Sequence, residues 1–268
     1  SFLENYNIKY FYKLLEIFKF MVYYYIFLSS IIVSLISLII ILPFLKLFNN
    51  KKILLALLSL SVGILFGNVF IHILPEIIEL YGYNSNIAIS IILGFFIMFL
   101  IEKFIHHHHN CKNIKKEKQI GHQHAYHLGT MNLIGDGVHN LIDGMIIASS
   151  YLINIPLGIA TTISIIFHEI PQEIADFSIL IYSGWEKKKA ILFNLLSGLM
   201  SIFGAFIAII LNNSFNNFLY FIMPFAAGTF LYIATCNLVP ELHRHCDYKN
   251  TLIHIISISI GIIIMFII

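Results

Sequence analysis

Long apolar runs alternate with short polar connections along almost the whole chain. A membrane-spanning helix needs about 20 mainly apolar residues. Eight runs meet that requirement, at about 22–45, 53–78, 87–105, 128–152, 156–184, 188–212, 218–241 and 251–268. They are continuous rather than alternating with period two, so helices are predicted and a β-barrel is not. Residues 1–21 differ, because Glu4, Lys9, Lys13, Glu16 and Lys19 stand among aromatics. That mixture suits an N-terminal interfacial amphipathic helix ahead of a transmembrane domain over 22–268. The expected fold class is an all-α polytopic membrane protein with eight transmembrane helices.

The connections carry an orientation. Lys46, Lys51 and Lys52 lie between spans 1 and 2, and Lys112, Lys115, Lys116 and Lys118 between spans 3 and 4, with Lys103 at the helix end. Lys187, Lys188 and Lys189 lie between spans 5 and 6, and Arg244 and Lys249 between spans 7 and 8. The other three connections contain neither Lys nor Arg, so thirteen of the sixteen basic residues fall on one side. By the positive-inside rule that side is cytoplasmic, and both termini are extracellular or luminal.

Composition agrees with this reading. The chain is 59% hydrophobic and only 11% charged, with a mean hydropathy of +0.86, which excludes an ordinary soluble domain. Its net charge of +2 says little as a total, and no nucleic-acid partner is expected. Cys111, Cys236 and Cys246 form no CxxC and no paired framework, and are read as packing or reduced thiols.

Two consecutive spans break the apolar rule. In span 4, His139 and Asp143 are four apart and share a helical face, while Asn140 lies about 100° round with Asp136 one turn below it. In span 5, His168 and Gln172 share one face, and Glu169 and Glu173 another, which Asp176 extends. Pro171 removes one backbone hydrogen bond between them. Asp136, Asp143, Glu169, Glu173 and Asp176 are five acids without a Lys or Arg in either span. Buried carboxylates without a counter-ion must protonate or bind a cation. A single His or Asp in a membrane helix is often an inter-helix hydrogen bond, but two dense clusters on neighbouring helices are better explained by transport. Two imidazoles among carboxylates and amides suit Zn²⁺ or Fe²⁺ over Ca²⁺ or Mg²⁺, and the lack of a thiolate suits an ion that must leave again.

Other polar positions are accessory. His72 and Glu76 share one face near the outer end of span 2, where Pro75 is expected to kink the helix; they form either a polar helix end or a cation entrance. The connection over 106–127 holds His106, His107, His108, His109, His122, His124 and His127, a tract that binds zinc-like ions loosely. Glu241, His243 and His245 close span 7 on the cytoplasmic side, as an exit for ions or simply as a polar helix end.

HNLIDG (139–144) followed by HEIPQEIADF (168–177) resembles the ZIP family of zinc and iron transporters, in particular the subfamily reading HNF-x-DG and HE-x-PHE-x-GDF. Gly67, His72 and Pro75 in span 2, Asn194 to Ser197 in span 6, and Pro224 to Ala234 with Pro240 to Leu242 in span 7 extend the resemblance over most of the chain. It implies a two-metal centre between spans 4 and 5, with His139, Asp143, His168 and Gln172 as the main site. Asn140 and Glu169, with Gln172 or Glu173, would make the neighbouring one. It further implies import of Zn²⁺ or Fe²⁺ into the cytoplasm by an elevator motion, with Mn²⁺ and Cd²⁺ as further ions and Cd²⁺ as a surrogate.

This sequence departs from the subfamily pattern in three places. Gln172 replaces the usual His, which is expected to loosen the main site or to shift preference from zinc toward iron or manganese. Ala175 replaces a glycine, read as a packing change. The subfamily's large extracellular domain is not in this sequence, so the expectation of a homodimer does not extend to contacts that depend on it.

The rival from another class is an intramembrane zinc metalloprotease using His168 and Glu169, one residue short of HExxH. Gln172 removes its second histidine, so neither enzymatic activity nor a cofactor is expected. The plasma membrane is the default location, and an organelle membrane delivering to the cytoplasm fits equally.

Overall fold

The computed structural model describes the backbone of residues 2–110, 120–211, 215–244 and 247–268, and the side chains within these ranges except at 2–19, 37, 44, 105–110, 120–127, 215–217 and 219. The histidines of the tract, His106, His107, His108, His109, His122, His124 and His127, therefore lie outside the described side chains, as do His245 and the charged residues of 1–19.

Among the described residues the secondary structure is helical, with no strand. The long helices are α1 (Phe2–Phe44), α2 (Lys51–Tyr81), α3 (Ser85–Asn110), α4 (Ile120–Ile153), α5 (Ile155–Tyr182), α6 (Lys187–Leu211), α7 (Tyr220–Leu242) and α8 (Tyr248–Ile267). Six of them, all but α4 and α5, are long and apolar enough to cross a membrane. At 34 and 28 residues α4 and α5 exceed the length a bilayer needs; what sets them apart is the lower hydropathy that their His, Asn, Gln and acidic residues give. The protein is an all-α polytopic membrane protein. Its outer faces agree, since α3 and α8 expose rows of large apolar groups such as Ile92, Phe96, Ile255 and Ile263.

α1 continues without a break through residue 21, so its first half and the predicted first span share one 43-residue helix. That is about 65 Å at the α-helical rise, roughly twice a hydrocarbon core.

Proline positions are absorbed locally. In α2 the chain widens into a π-helical turn over Asn68–Ile73, closed by Leu74 N–H donating to the Val69 carbonyl, and Pro75 then starts a fresh α segment. α7 repeats the device over Ile233–Leu238 ahead of Pro240. The predicted kink at Pro75 thus takes the form of a wide turn, the register that leaves room for a residue without an N–H. α5 by contrast runs through Pro171 uninterrupted. α6 breaks at Leu199, where Ser34 Oγ of α1 donates to the Gly198 carbonyl at 2.7 Å.

The helices form two bundles, α1 with α4, α5 and α6, and α2 with α8 beside α3 with α7. Reciprocal glycines bring the main pairs into close contact. A Cβ on Gly144 would strike the Ser201 carbonyl and one on Gly204 the Leu141 carbonyl, at the α4–α6 crossing. Gly94 and Gly228 do the same for α3 and α7, and Gly63 and Gly261 for α2 and α8. The bundles meet along α2–α5 and α4–α7. Across that seam Ser61 Oγ of α2 donates to the Ala175 carbonyl (3.2 Å) and lies 3.3 Å from Ser178 Oγ of α5, beside the apolar packing of Ile64, Ala175 and Met265.

Candidate metal centre

The fourfold spacing on α4 and α5 sets two rows of polar groups on each helix, and close packing of the two helices turns those rows toward each other. The first rows meet at His139, Asp143, His168 and Glu169, each offering one ligand atom within 4.8 Å of the others. Nε2 of His139 lies 3.6 Å from Asp143 Oδ2 and 3.4 Å from Glu169 Oε1, and Nε2 of His168 lies 3.2 Å from the same Asp143 oxygen. His139 Nε2 and Glu169 Oε1 are buried without a hydrogen-bond partner. Orphaned buried polar atoms are costly, and a cation among two imidazoles and two carboxylates would satisfy both. The Phe230 ring of α7 closes the wall behind His139, with centroids 5.0 Å apart.

The cluster borders a cavity of about 320 Å³. His72 and Glu76 of α2 line it, as do Asn68 and, toward the α4–α5 turn, Ser150 and Thr161. The His72 ring stands 6.2 Å from that of His168. Its Nε2 lies 2.8 Å from the Met265 carbonyl and must donate there, leaving Nδ1 as the unprotonated nitrogen.

The remaining predicted residues go elsewhere. Gln172 Oε1 accepts a hydrogen bond from Asn68 Nδ2 at 2.7 Å, so its one ligand atom is engaged across the bundle seam. Asn140 Nδ2 donates to Asp136 Oδ1 (2.9 Å), Asn132 Nδ2 to Asp176 Oδ1 (3.0 Å), and Asn194 Nδ2 of α6 to Glu173 Oε2. Asn140, Asp136, Glu173 and Asp176 thus form a second polar group below the histidines, while Glu169 sides with the first. Glu241 accepts from Tyr182 Oη (2.8 Å) and pairs with Arg244 at 3.2 Å, at the far end of α5, and His243 is exposed. Glu241 lines a separate cavity of about 110 Å³ with Glu102, Cys236 and Asn237.

Asn68 is the residue that sequence reasoning passed over. It sits one turn before His72 in an apolar helix, the same fourfold signal that marked His139 and Asp143.

Comparison with known proteins gives the family. The profile described as ZIP Zinc transporter matches residues 19–128 and 106–268. Zinc transporter zipt-7.1 of Caenorhabditis briggsae is 27% identical over 82% of this chain and 72% of its own length. Zinc transporter ZIP13 of Pongo abelii is 30% identical over 78% of this chain and 65% of its own. Zinc transporter ZIP10 of Homo sapiens is 31% identical over 61% of this chain, which spans only 21% of that longer protein. With the profile covering all but the first residues, the chain belongs to the ZIP zinc transporter family.

Proposed function

We propose that this protein is a divalent metal transporter whose ion, Zn²⁺ or Fe²⁺, binds to His139, Asp143, His168 and Glu169 on its way to the cytoplasm. The observation that carries the reading is the convergence of those four donors beside a cavity, in a chain related to proteins named as zinc transporters. Two imidazoles with two carboxylates suit a borderline ion and hold it without a thiolate.

Eight spans with both termini extracellular or luminal follow from the basic loops. In that orientation Ser150, Thr161 and Glu76 lie toward the outer face, so the cavity is the entrance, with His72 and Glu76 along it. The Tyr182–Glu241 bond lies on the cytoplasmic side and closes it. Glycine pairs bring helices into close contact within each bundle, and the seam between bundles carries separable hydrogen bonds beside its apolar packing, which supports one bundle sliding on the other. The protease alternative finds no support, since Gln172 stands in place of the second histidine and is engaged by Asn68.

The test is uptake into proteoliposomes with Zn²⁺, Fe²⁺, Mn²⁺ and Cd²⁺ in competition. Saturable uptake ranking Zn²⁺ or Fe²⁺ first is expected; metal binding without uptake would instead indicate a sensor or an enzyme.

A further inference from the structure

Two basic connections far apart in sequence meet at one end of the bundle formed by α1, α4, α5 and α6. Lys46, Lys51 and Lys52 lie within 45–52, and Lys187, Lys188 and Lys189 within 183–190, where Glu186 is the one acid in either stretch. Lys187 joins the two, since its Nζ donates to the Leu45 carbonyl (2.8 Å) and to Asn49 Oδ1 (2.6 Å). Beneath them Phe48 and Trp185 are buried in one apolar cluster with Phe177, so the patch rests on a packed base. Lys46, Lys51, Lys52 and Lys188 are exposed, and among the described residues none of them pairs with an acid. The positive-inside rule accounts for lysines on this side of the membrane, but it does not require two connections to converge. Like charges held together on a rigid base repel one another, and an anion offsets that cost.

The surface below the lysines is apolar and continuous with them. On α6, Leu192, Leu196 and Leu199 follow Lys188 at helical spacing, and all three are exposed. On α1, Leu42, Ile39 and Leu35 precede Lys46 in the same way and are exposed as well. The two helices touch where Ser34 Oγ donates to the Gly198 carbonyl (2.7 Å), and Leu35 and Leu199 are the next residues along each chain. Lys189 is held at the top of α6, with Nζ 4.6 Å from the Trp185 ring centroid and 5.8 Å from that of Phe193. Cationic heads above two apolar columns match a phosphate above two acyl chains.

We propose that this end of α1 and α6 binds an anionic phospholipid, its headgroup on Lys46, Lys188 and Lys189 and its chains along the two columns. Lys51 and Lys52 add to the field, while Lys187 is engaged in holding the connections together. The lipid belongs to the cytoplasmic leaflet on the topology proposed above, but the site depends neither on that topology nor on transport. It anchors at the membrane surface the bundle that carries His139, Asp143, His168 and Glu169.

Trp185 is the one tryptophan in the chain, so its fluorescence reports on this patch alone. The test is quenching of the purified full chain in metal-free bilayers by brominated phosphatidylserine against brominated phosphatidylcholine. A preference for the anionic lipid on the order of tenfold is expected, since each exposed lysine at a membrane surface contributes about fivefold. Lys46→Gln and Lys188→Gln should each lower the preference by about fivefold, and added salt should weaken it. Lys103→Gln, a lysine of α3 outside the patch, should leave it unchanged. Equal quenching by the two lipids, or an equal loss in Lys103→Gln, overturns the proposal in favour of general surface charge. Inorganic phosphate that displaces the lipid at constant ionic strength marks a soluble-anion site and overturns the lipid assignment. No metal is present in the assay, so its failure leaves the transport reading untouched.

Discussion

Nε2 of His168 on α5 lies 3.2 Å from Oδ2 of Asp143 on α4, across 25 residues of sequence. The same carboxylate oxygen is 3.6 Å from Nε2 of His139, so Asp143 joins both imidazoles. Asp143→Asn keeps the shape and removes the charge. Zn²⁺ affinity is expected to fall by at least about tenfold, read by calorimetric titration of purified protein; an unchanged affinity would remove Asp143 from the site.

The α4–α6 crossing holds Asp143 in place through Gly144 and Gly204, whose missing Cβ atoms make room for the Ser201 and Leu141 carbonyls. A backbone carbonyl cannot swing away as a side-chain end can. Gly204→Val is therefore expected to cost about 1–3 kcal/mol, the usual range for overpacking. Thermal unfolding in detergent should show a lower midpoint, and an unchanged midpoint would mean the helices separate freely.

Tyr182 ties α5 to α7 through Glu241 at 2.8 Å. Tyr182→Phe removes that bond, worth about 1 kcal/mol net, or roughly fivefold in a two-state balance. Faster turnover at saturating metal is expected in proteoliposome uptake, because on the proposed topology the cytoplasmic side then opens more readily. Turnover equal to wild type would show that the bond does not hold the closed side.

Much of this was legible from spacing alone. Asn132, Asp136 and Asn140 recur every four residues, as do His139 with Asp143 and Glu169 with Glu173, and helical period places each set on one face. The apolar runs likewise marked all eight long helices. Local period cannot reveal which row faces which neighbour. Gln172 shares a face with His168, yet its oxygen turns to Asn68 on α2, and Glu169 joins the histidines rather than Glu173. Those choices are made by packing between distant helices. The π-helical turns are of the same kind: Pro75 and Pro240 announce a disturbance, but the register that absorbs it depends on the whole helix.

Deletion of His106 to His109 removes, from the end of α3, ligands that the sequence marks as loose. Transport is expected to remain measurable in the uptake assay, with half-saturation within about threefold of wild type, as suits ligands that are not preorganised. Complete loss would assign the tract a part in translocation.

The most direct measurement is zinc-edge X-ray absorption on protein loaded with one equivalent of Zn²⁺, for wild type and His168→Ala. The account predicts a shell of nitrogen and oxygen at about 2.0–2.1 Å with the outer scattering of two imidazoles, falling to one in the variant. A sulfur shell near about 2.3 Å, or an imidazole count that His168→Ala leaves unchanged, would contradict it.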